Sequence, residues 1–293
     1  MEHYEKNLSS PKYIKELLKN HNFFLSKSLG QNFLVNPYIC PKMAEMSGAQ
    51  NNFVLEIGTG IGVLTKELAK IAKKVCAVEI DSNLIPVLNE TLADFNNIEI
   101  INQDILKVDL KKLFDEKAKN MKICVCANLP YYITSPIIMH LLELNLNIES
   151  ITVMVQKEAA QRICAQPGSR ECGAISLAVR YYSKPKFLFN VSRGSFFPPP
   201  NVDSCVIKLE INKTLPIQVN NTSKFFDMVR AGFSQRRKVL INPLSTKLNI
   251  SKDNLKNIFN NLNIPNNVRA EQLSLEQFAN IFNSIQNKYV DKI

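Results

Sequence analysis

The run Met121-Lys-Ile-Cys-Val-Cys-Ala127 is almost unbroken in its apolarity and ends abruptly on Asn128-Leu-Pro-Tyr131. Such a run suits a strand covered on both faces, as at the centre of a parallel sheet. Sheets of that kind bind ligands beyond the carboxyl ends of their strands. Pro130 fixes its own φ and drives Leu129 toward extended geometry, so Asn128 and Leu129 leave the strand in a stiff turn. An Asn side chain and a backbone carbonyl then face outward beside an aromatic ring. That set accepts two hydrogen bonds from an amine and stacks on a planar base. The plainer reading is a strand-to-helix turn in which Asn128 caps the helix starting near Thr134-Ser-Pro136.

The same strand-then-helix rhythm runs through the first two thirds of the chain. Apolar periodicity predicts strands at 53–57, 75–80, 98–101 and 151–155, and helices at 63–72, 84–92, 110–117, 136–144 and 157–165. Strands alternating with helices imply a doubly wound, mostly parallel α/β sheet. Helices at 10–22 and 41–47 precede it, separated by an irregular basic segment at 26–34. After a further helix at 174–182, β-like runs at 186–191 and 202–211 flank a Pro-rich loop and predict a hairpin at the sheet edge. The polar stretch 212–221 carries Pro216 and marks a boundary. Residues 1–211 are expected to form one domain with an N-terminal helical extension, and 212–293 a small all-α domain with helices at 225–233, 238–248, 253–262 and 275–289.

Composition narrows the function. The seven cysteines include no Cys-x-x-Cys and the three histidines are scattered, so no metal site is expected. No uncharged apolar run approaches 18 residues, and Met1-Glu-His-Tyr-Glu-Lys6 lacks the basic-then-apolar pattern of a signal peptide. A cytoplasmic monomer with no membrane partner is the expectation. The net charge is +10, and from Ile211 on there are twelve Lys or Arg against five Asp or Glu. That bias suits an RNA-facing module, with a solvated lysine-rich surface as the alternative.

Val54-Leu-Glu-Ile-Gly58-Thr-Gly60-Ile-Gly62 places glycines in the turn from the first sheet strand into its helix, where backbone can approach a ligand closely. A dinucleotide fingerprint needs glycine at position 63, which is Val63, and a P-loop needs a lysine that is absent. Glu79 ends the second strand, where a carboxylate accepts from both ribose hydroxyls of an adenosine. Asp104 follows the third, where it accepts from an adenine amine. Either acid alone is equally a solvated strand end. Together they lay out an adenosine site, and an uncharged linkage such as a sulfonium fits it better than pyrophosphate.

These residues carry a resemblance. Glu56-Ile-Gly58-Thr-Gly60-Ile-Gly62, Val78-Glu79-Ile-Asp81, Gln103-Asp104 and Asn128-Leu-Pro-Tyr131 resemble the motifs of class I S-adenosylmethionine-dependent methyltransferases that modify an amino group. Ser28-Leu-Gly-Gln-Asn-Phe-Leu34, Gln156-Lys-Glu158, Phe197-Pro-Pro-Pro-Asn-Val-Asp-Ser204 and Phe233-Ser-Gln-Arg-Arg-Lys238 look more closely like the bacterial small-subunit ribosomal RNA adenine dimethyltransferases, the kasugamycin-sensitivity family. The resemblance implies that Asn32 and Leu34 close over S-adenosylmethionine, with Gly58 and Gly60 under its methionine part. Glu79 would hold the ribose and Asp104 the adenine amine, and Asn128 would stand between cofactor and substrate. With Asn128 and the Leu129 carbonyl accepting its protons, an adenine N6 amine aims its lone pair at the methyl group, while Tyr131 and Phe196 sandwich the base. Phe196 is equally readable as a hairpin-loop residue covering the core. Arg236, Arg237 and Lys238 would open the basic helical domain and contact RNA phosphates, an ordinary solvated helix start being the alternative. The implied partner is small-subunit rRNA in a 30S precursor particle. This sequence has Thr59, Tyr132 and Phe197 where that family usually has proline, asparagine and threonine.

Two other functions compete. The erythromycin-resistance methylases of large-subunit RNA resemble the same catalytic motifs, but usually carry isoleucine where Leu129 stands. A ribosome-assembly factor without catalysis is the other, and it leaves the intact Asn128-Leu-Pro-Tyr131 unexplained. A nicotinamide-dependent oxidoreductase lacks a catalytic His or Tyr-Lys pair.

Overall fold

The structure is a computed structural model that describes residues 7–26 and 29–289. Met1–Lys6, with His3, and Lys27 and Ser28 of the basic segment lie outside the described residues. Helix α1 (Pro11–Asn20) is followed by the two-residue strand β1 (Phe33–Leu34) and helix α2 (Ile39–Ser47). The regular alternation then runs β2 (Phe53–Ile57), α3 (Val63–Ile71), β3 (Lys74–Glu79), α4 (Ile85–Thr91), β4 (Ile98–Asn102), α5 (Leu110–Lys117), β5 (Ile123–Asn128), α6 (Thr134–Glu143) and β6 (Ile148–Gln156). Helices α7 (Lys157–Cys164) and α8 (Ala174–Tyr182) precede β7 (Ser183–Val191), β8 (Phe196–Phe197) and β9 (Ser204–Ile211). Helices α9 (Thr222–Phe233), α10 (Ile241–Leu248), α11 (Lys252–Asn261) and α12 (Leu275–Lys288) complete the chain.

Seven strands form one sheet in the order β4-β3-β2-β5-β6-β9-β7. The strands from β4 to β6 are parallel, and β9 pairs with β6 antiparallel, so β7 and β9 make the expected edge hairpin. Every residue of β2 is buried, and so are the first five of β5, as a sheet covered on both faces requires. On one face Met43 and Ala44 of α2 and Leu64 and Leu68 of α3 pack over Val54, Val75 and Cys126. Ile14, Leu17 and Leu18 of α1 join Ile61 and residues Val87 and Leu88 of α4 in a second apolar cluster, which seats α1 beside the glycine turn.

The chain divides into two compact units. One holds the residues up to Ala160 with Lys186–Ile211; the other holds Gln161–Pro185 and the residues from Asn212 on. A single boundary at 212 therefore omits one segment of the second unit. The reason is local: α8 is amphipathic and packs its Tyr181 among Phe225 and Phe226 of α9. The alternative reading of Arg236, Arg237 and Lys238 as an ordinary helix start does not hold, because α10 begins only at Ile241. The Ser234 hydroxyl donates to the Ala231 carbonyl at 2.6 Å and ends α9, leaving the three basic residues exposed in a turn before α10. No helix of the described residues is long and apolar enough to cross a membrane, and no group of three or more His, Cys, Asp or Glu among them could hold a metal ion.

One charged residue interrupts the core. Glu56 is fully buried in β2 between Ala77 and Cys126, and neither carboxylate oxygen has a hydrogen-bond partner. Burial pushes its pKa up to about 8; the nearby Thr65 hydroxyl lowers it and the Glu79 charge adds to the rise. The folded state thus keeps a proton that the unfolded chain loses above about pH 4.3. Stability from this group is complete below that pH and is lost as pH rises through about 8. We expect the unfolding free energy of the cofactor-free protein to fall across this window, by as much as about 1.4 kcal/mol per pH unit from this residue. Glu56→Gln should remove that slope in urea titrations at pH 5, 6.5 and 8; parallel pH dependence in both proteins would refute the assignment.

Candidate active site

The parallel register brings the ends of β4, β3, β2 and β5 side by side, and the candidate residues follow from it. Beyond β2 the chain turns through Gly58, Gly60 and Gly62, all at positive φ. Gly60 has φ +56, which favours glycine, and a Cβ there would sit 3.2 Å from the Phe33 ring, so a side chain would also press on that ring.

Glu79 at the end of β3 faces this turn and is 5% exposed. Its Oε2 accepts from the Thr59 hydroxyl at 2.9 Å and the Gly60 N–H at 3.2 Å, and its Oε1 from the Asp81 N–H at 2.9 Å. Burial raises the Glu79 pKa, and these three donors oppose the rise. A carboxylate has about four lone-pair sites, so one remains for an incoming hydroxyl before Thr59 or Gly60 must yield. Thr59, one of the three departures from the resembled pattern, is thus a donor to the acid. Asp104 follows β4; its Oδ1 accepts from the Leu106 N–H at 3.0 Å, leaving Oδ2 open. It lines an apolar recess with Ile57, Val78, Ile80, Ile105 and Pro130.

Asn128 ends β5. Its side chain makes no hydrogen bond among the described residues and caps no helix, since Ile133 holds the N-cap position of α6 without a side-chain bond. The Leu129 N–H donates to the Met154 carbonyl at 3.2 Å, which pins the turn to β6, while the Leu129 carbonyl accepts no bond from the described residues. Two acceptors are therefore free at one turn. Tyr131 is half-buried and its hydroxyl lies 2.7 Å from Ser204 Oγ at the start of β9; burial raises its pKa, so the phenol stays neutral.

Asn32, Gly58, Gly60, Glu79, Asn128, Leu129, Tyr131 and Phe196 all line one cleft. Leu34 lines an adjoining recess and Asp104 a third, and Gly58 borders all three. The segment over the cleft is held by antiparallel pairing of β1 with β8, Leu34 opposite Phe196. Gln31 fastens it to the end of β3, its Nε2 donating to Asp81 Oδ2 at 2.7 Å. Asn32 is held locally, donating to the Gly30 carbonyl at 2.9 Å. Phe196 is 3% exposed and packs into the sheet core, as a residue covering the core would, and it also lines the cleft. Tyr132 stands exposed at the rim beside Gly30, and Phe197 lies under the Lys15 ammonium at 5.3 Å. Arg236, Arg237 and Lys238 do not line this cleft.

Two residues escaped the reading of roles from sequence. Ser204 orients Tyr131 from 73 positions away, a pairing no local pattern reveals. Glu56 shares a recess with Asn32, Leu34, Gly58, Gly60 and Asn128. An acid within an otherwise apolar strand was its signal. S-Adenosylmethionine bears an ammonium, a ribose and an adenine, and the unpartnered Glu56, the open site on Glu79 and the Asp104 recess suit them in turn. The residues present fit the cofactor.

The chain is similar to several known proteins. A family model described as ribosomal RNA adenine dimethylase matches residues 22–287. Ribosomal RNA small subunit methyltransferase A of Clostridioides difficile (strain 630) is 45% identical over 288 residues, covering 97% of this chain and 99% of its own. The protein of the same name from Bacillus pumilus (strain SAFR-032) is 44% identical, covering 96% and 98%. Among solved structures, a dimethyladenosine transferase from Plasmodium falciparum superposes with a TM-score of 0.71 at 27% identity, covering 87% of this chain and 98% of that one. The 23S rRNA methyltransferase ErmE gives 0.66 at 25% identity, covering 86% and 98%. With a glycine turn, Glu79 and a free pair of acceptors on one cleft, Glu56 and Asp104 in recesses that share Gly58 with it, and a family match across nearly the whole chain, this protein belongs to the ribosomal RNA adenine dimethylase family.

Proposed function

We propose that the protein transfers methyl groups from S-adenosylmethionine to the N6 amine of adenines in small-subunit ribosomal RNA, yielding dimethyladenosine during ribosome biogenesis. The observation that carries this reading is the pair of unengaged acceptors, Asn128 Oδ1 and the Leu129 carbonyl, on a turn fixed to β6. The small-subunit assignment is supported by the methyltransferase A relatives, whose identity to this chain exceeds that of the 23S enzyme.

S-Adenosylmethionine, when bound, supplies an electrophilic methyl group on a sulfonium. Glu56 pairs with its ammonium, Gly58 and Gly60 underlie its methionine part, Glu79 holds the ribose through its open acceptor site, and Asp104 Oδ2 takes the adenine amine. Asn32 and Leu34 close the cleft over it. An exocyclic adenine amine is a poor nucleophile because its lone pair is delocalised into the ring. Asn128 and Leu129 accept its two protons, so the nitrogen pyramidalises and the lone pair turns out of conjugation. Catalysis is then orientation and electrostatics, with no general base. Tyr131, steadied by Ser204, stacks on the target adenine, with Phe196 as the second ring. The basic helical unit takes RNA, with Arg236, Arg237 and Lys238 on phosphates. A cytoplasmic monomer acting on a 30S precursor completes the reading.

Incubation with small-subunit particles from a strain lacking the activity, followed by mass spectrometry of nucleosides, should give dimethyladenosine in small-subunit RNA and hardly any in large-subunit RNA. The reverse pattern would transfer the assignment to the erythromycin-resistance type. Glu79→Ala and Asp104→Ala should each weaken cofactor binding by about 1.5–3 kcal/mol, the worth of a charge-assisted hydrogen bond, without unfolding the protein. Wild-type cofactor affinity in both by calorimetry would refute the placement.

A further inference from the structure

The two oxygens of the Glu79 carboxylate are not equivalent, and the difference sets how much of a ribose this acid can hold. Oε2 accepts from the Thr59 hydroxyl at 2.9 Å and from the Gly60 N–H at 3.2 Å, which fills both of its lone-pair sites. Oε1 accepts from the Asp81 N–H at 2.9 Å and keeps one site open. A ribose offers two hydroxyls, so one of them finds no acceptor on this carboxylate. Asp81 is engaged on both of its own oxygens. Its Oδ1 accepts from the backbone and side-chain N–H groups of Asn83 at 3.1 and 3.0 Å, and its Oδ2 from Gln31 at 2.7 Å.

Thr59 is held where it stands. It is buried, and its β-branched side chain has few rotamers open to it. The backbone on either side is fixed: the Gly58 N–H donates to the Val78 carbonyl at 2.9 Å, and the Gly62 N–H donates to the Thr59 carbonyl at 3.0 Å. The bond from its hydroxyl to Glu79 is buried and charge-assisted. Breaking it would leave a desolvated donor and acceptor unpaired, which costs more than the net worth of the bond. The proline usual at this position in the resembled family has no hydroxyl, so this hold on Oε2 comes with Thr59.

We propose that Thr59 is a positioning residue that sets the ribose selectivity of the cofactor site. By holding Oε2 it leaves Glu79 to engage the ribose through Oε1 alone, so that the site reads one ribose hydroxyl and is nearly indifferent to the other. The proposal rests on the reading of Glu79 as the ribose ligand of S-adenosylmethionine and deepens it.

The test is calorimetric titration of the full chain with S-adenosylhomocysteine, the demethylated form of the cofactor, and with its 2′-deoxy and 3′-deoxy analogues. In the parent, one analogue should bind more weakly than the full ligand by about 10-fold or more, the scale of one hydrogen bond to a charged group, and the other within about 2-fold of it. Thr59→Val keeps the shape of the side chain and frees a site on Oε2, so both analogues should then lose affinity relative to the full ligand. Thr59→Ser keeps the hydroxyl and should keep the asymmetry of the parent. A Thr59 that merely braced the turn would, on replacement by Val, weaken all three ligands alike; unchanged ratios in Thr59→Val would overturn the proposal. Comparable losses with both analogues in the parent would overturn it as well, and that measurement decides even where Thr59→Val does not fold. A parent that fails to bind S-adenosylhomocysteine, or Glu79→Ala binding all three ligands as the parent does, would overturn the functional reading first and this proposal with it.

Discussion

The hydrogen bonds that tie the Glu79 carboxylate to the glycine turn fix the geometry of the whole cleft. A carboxylate this deeply buried is costly unless donors surround it, and here the donors are the Thr59 hydroxyl, the Gly60 N–H and the Asp81 N–H. They join the end of β3 to the turn beyond β2. The Gly58 N–H, donating to the Val78 carbonyl at 2.9 Å, continues the β2–β3 ladder into the turn. Gln31, through Asp81, extends the same network to the segment over the cleft. Under the proposed function, the acid that holds the ribose is thus tied through Asp81 to the segment over the cleft.

The second fixed point is the turn after β5. Pro130 and the Leu129–Met154 hydrogen bond leave it little freedom, and the Ser204 contact does the same for the Tyr131 ring. A site that works by orienting a weak nucleophile needs this stiffness, because misplacement by about 1 Å costs on the order of 10²-fold in rate. Glu56 has a different part. Its unsatisfied oxygens burden the cofactor-free fold, and a cationic ligand would relieve them. Under the proposed function, binding strength and apo stability are linked through this one buried residue.

The strands and their order of appearance were legible because a parallel sheet buries both faces and writes itself as short apolar runs between helical ones. Gly58, Gly60, Glu79, Asp104 and Asn128 were legible for a related reason: each follows directly from a strand end, and strand ends converge in such a sheet. What lay hidden depends on contacts distant in sequence. The pairing of Leu34 with Phe196 joins two-residue strands too short to carry a period. The association of Gln161–Pro185 with the later helices arises from Tyr181 packing, not from any composition shift. The helix expected from Lys238 begins instead at Ile241, and the three basic residues fall in the turn after the Ser234 hydroxyl has ended α9.

The central claim is that rate comes from two acceptors positioned at the β5 turn and not from proton abstraction. Single-turnover methylation by Asn128→Ala, with RNA and cofactor both saturating, tests it most directly. A rate constant lower by about 10²-fold or more, the usual scale for loss of one positioned transition-state hydrogen bond, with RNA affinity near that of the parent, is the predicted result. A rate constant close to the parent's would contradict the account.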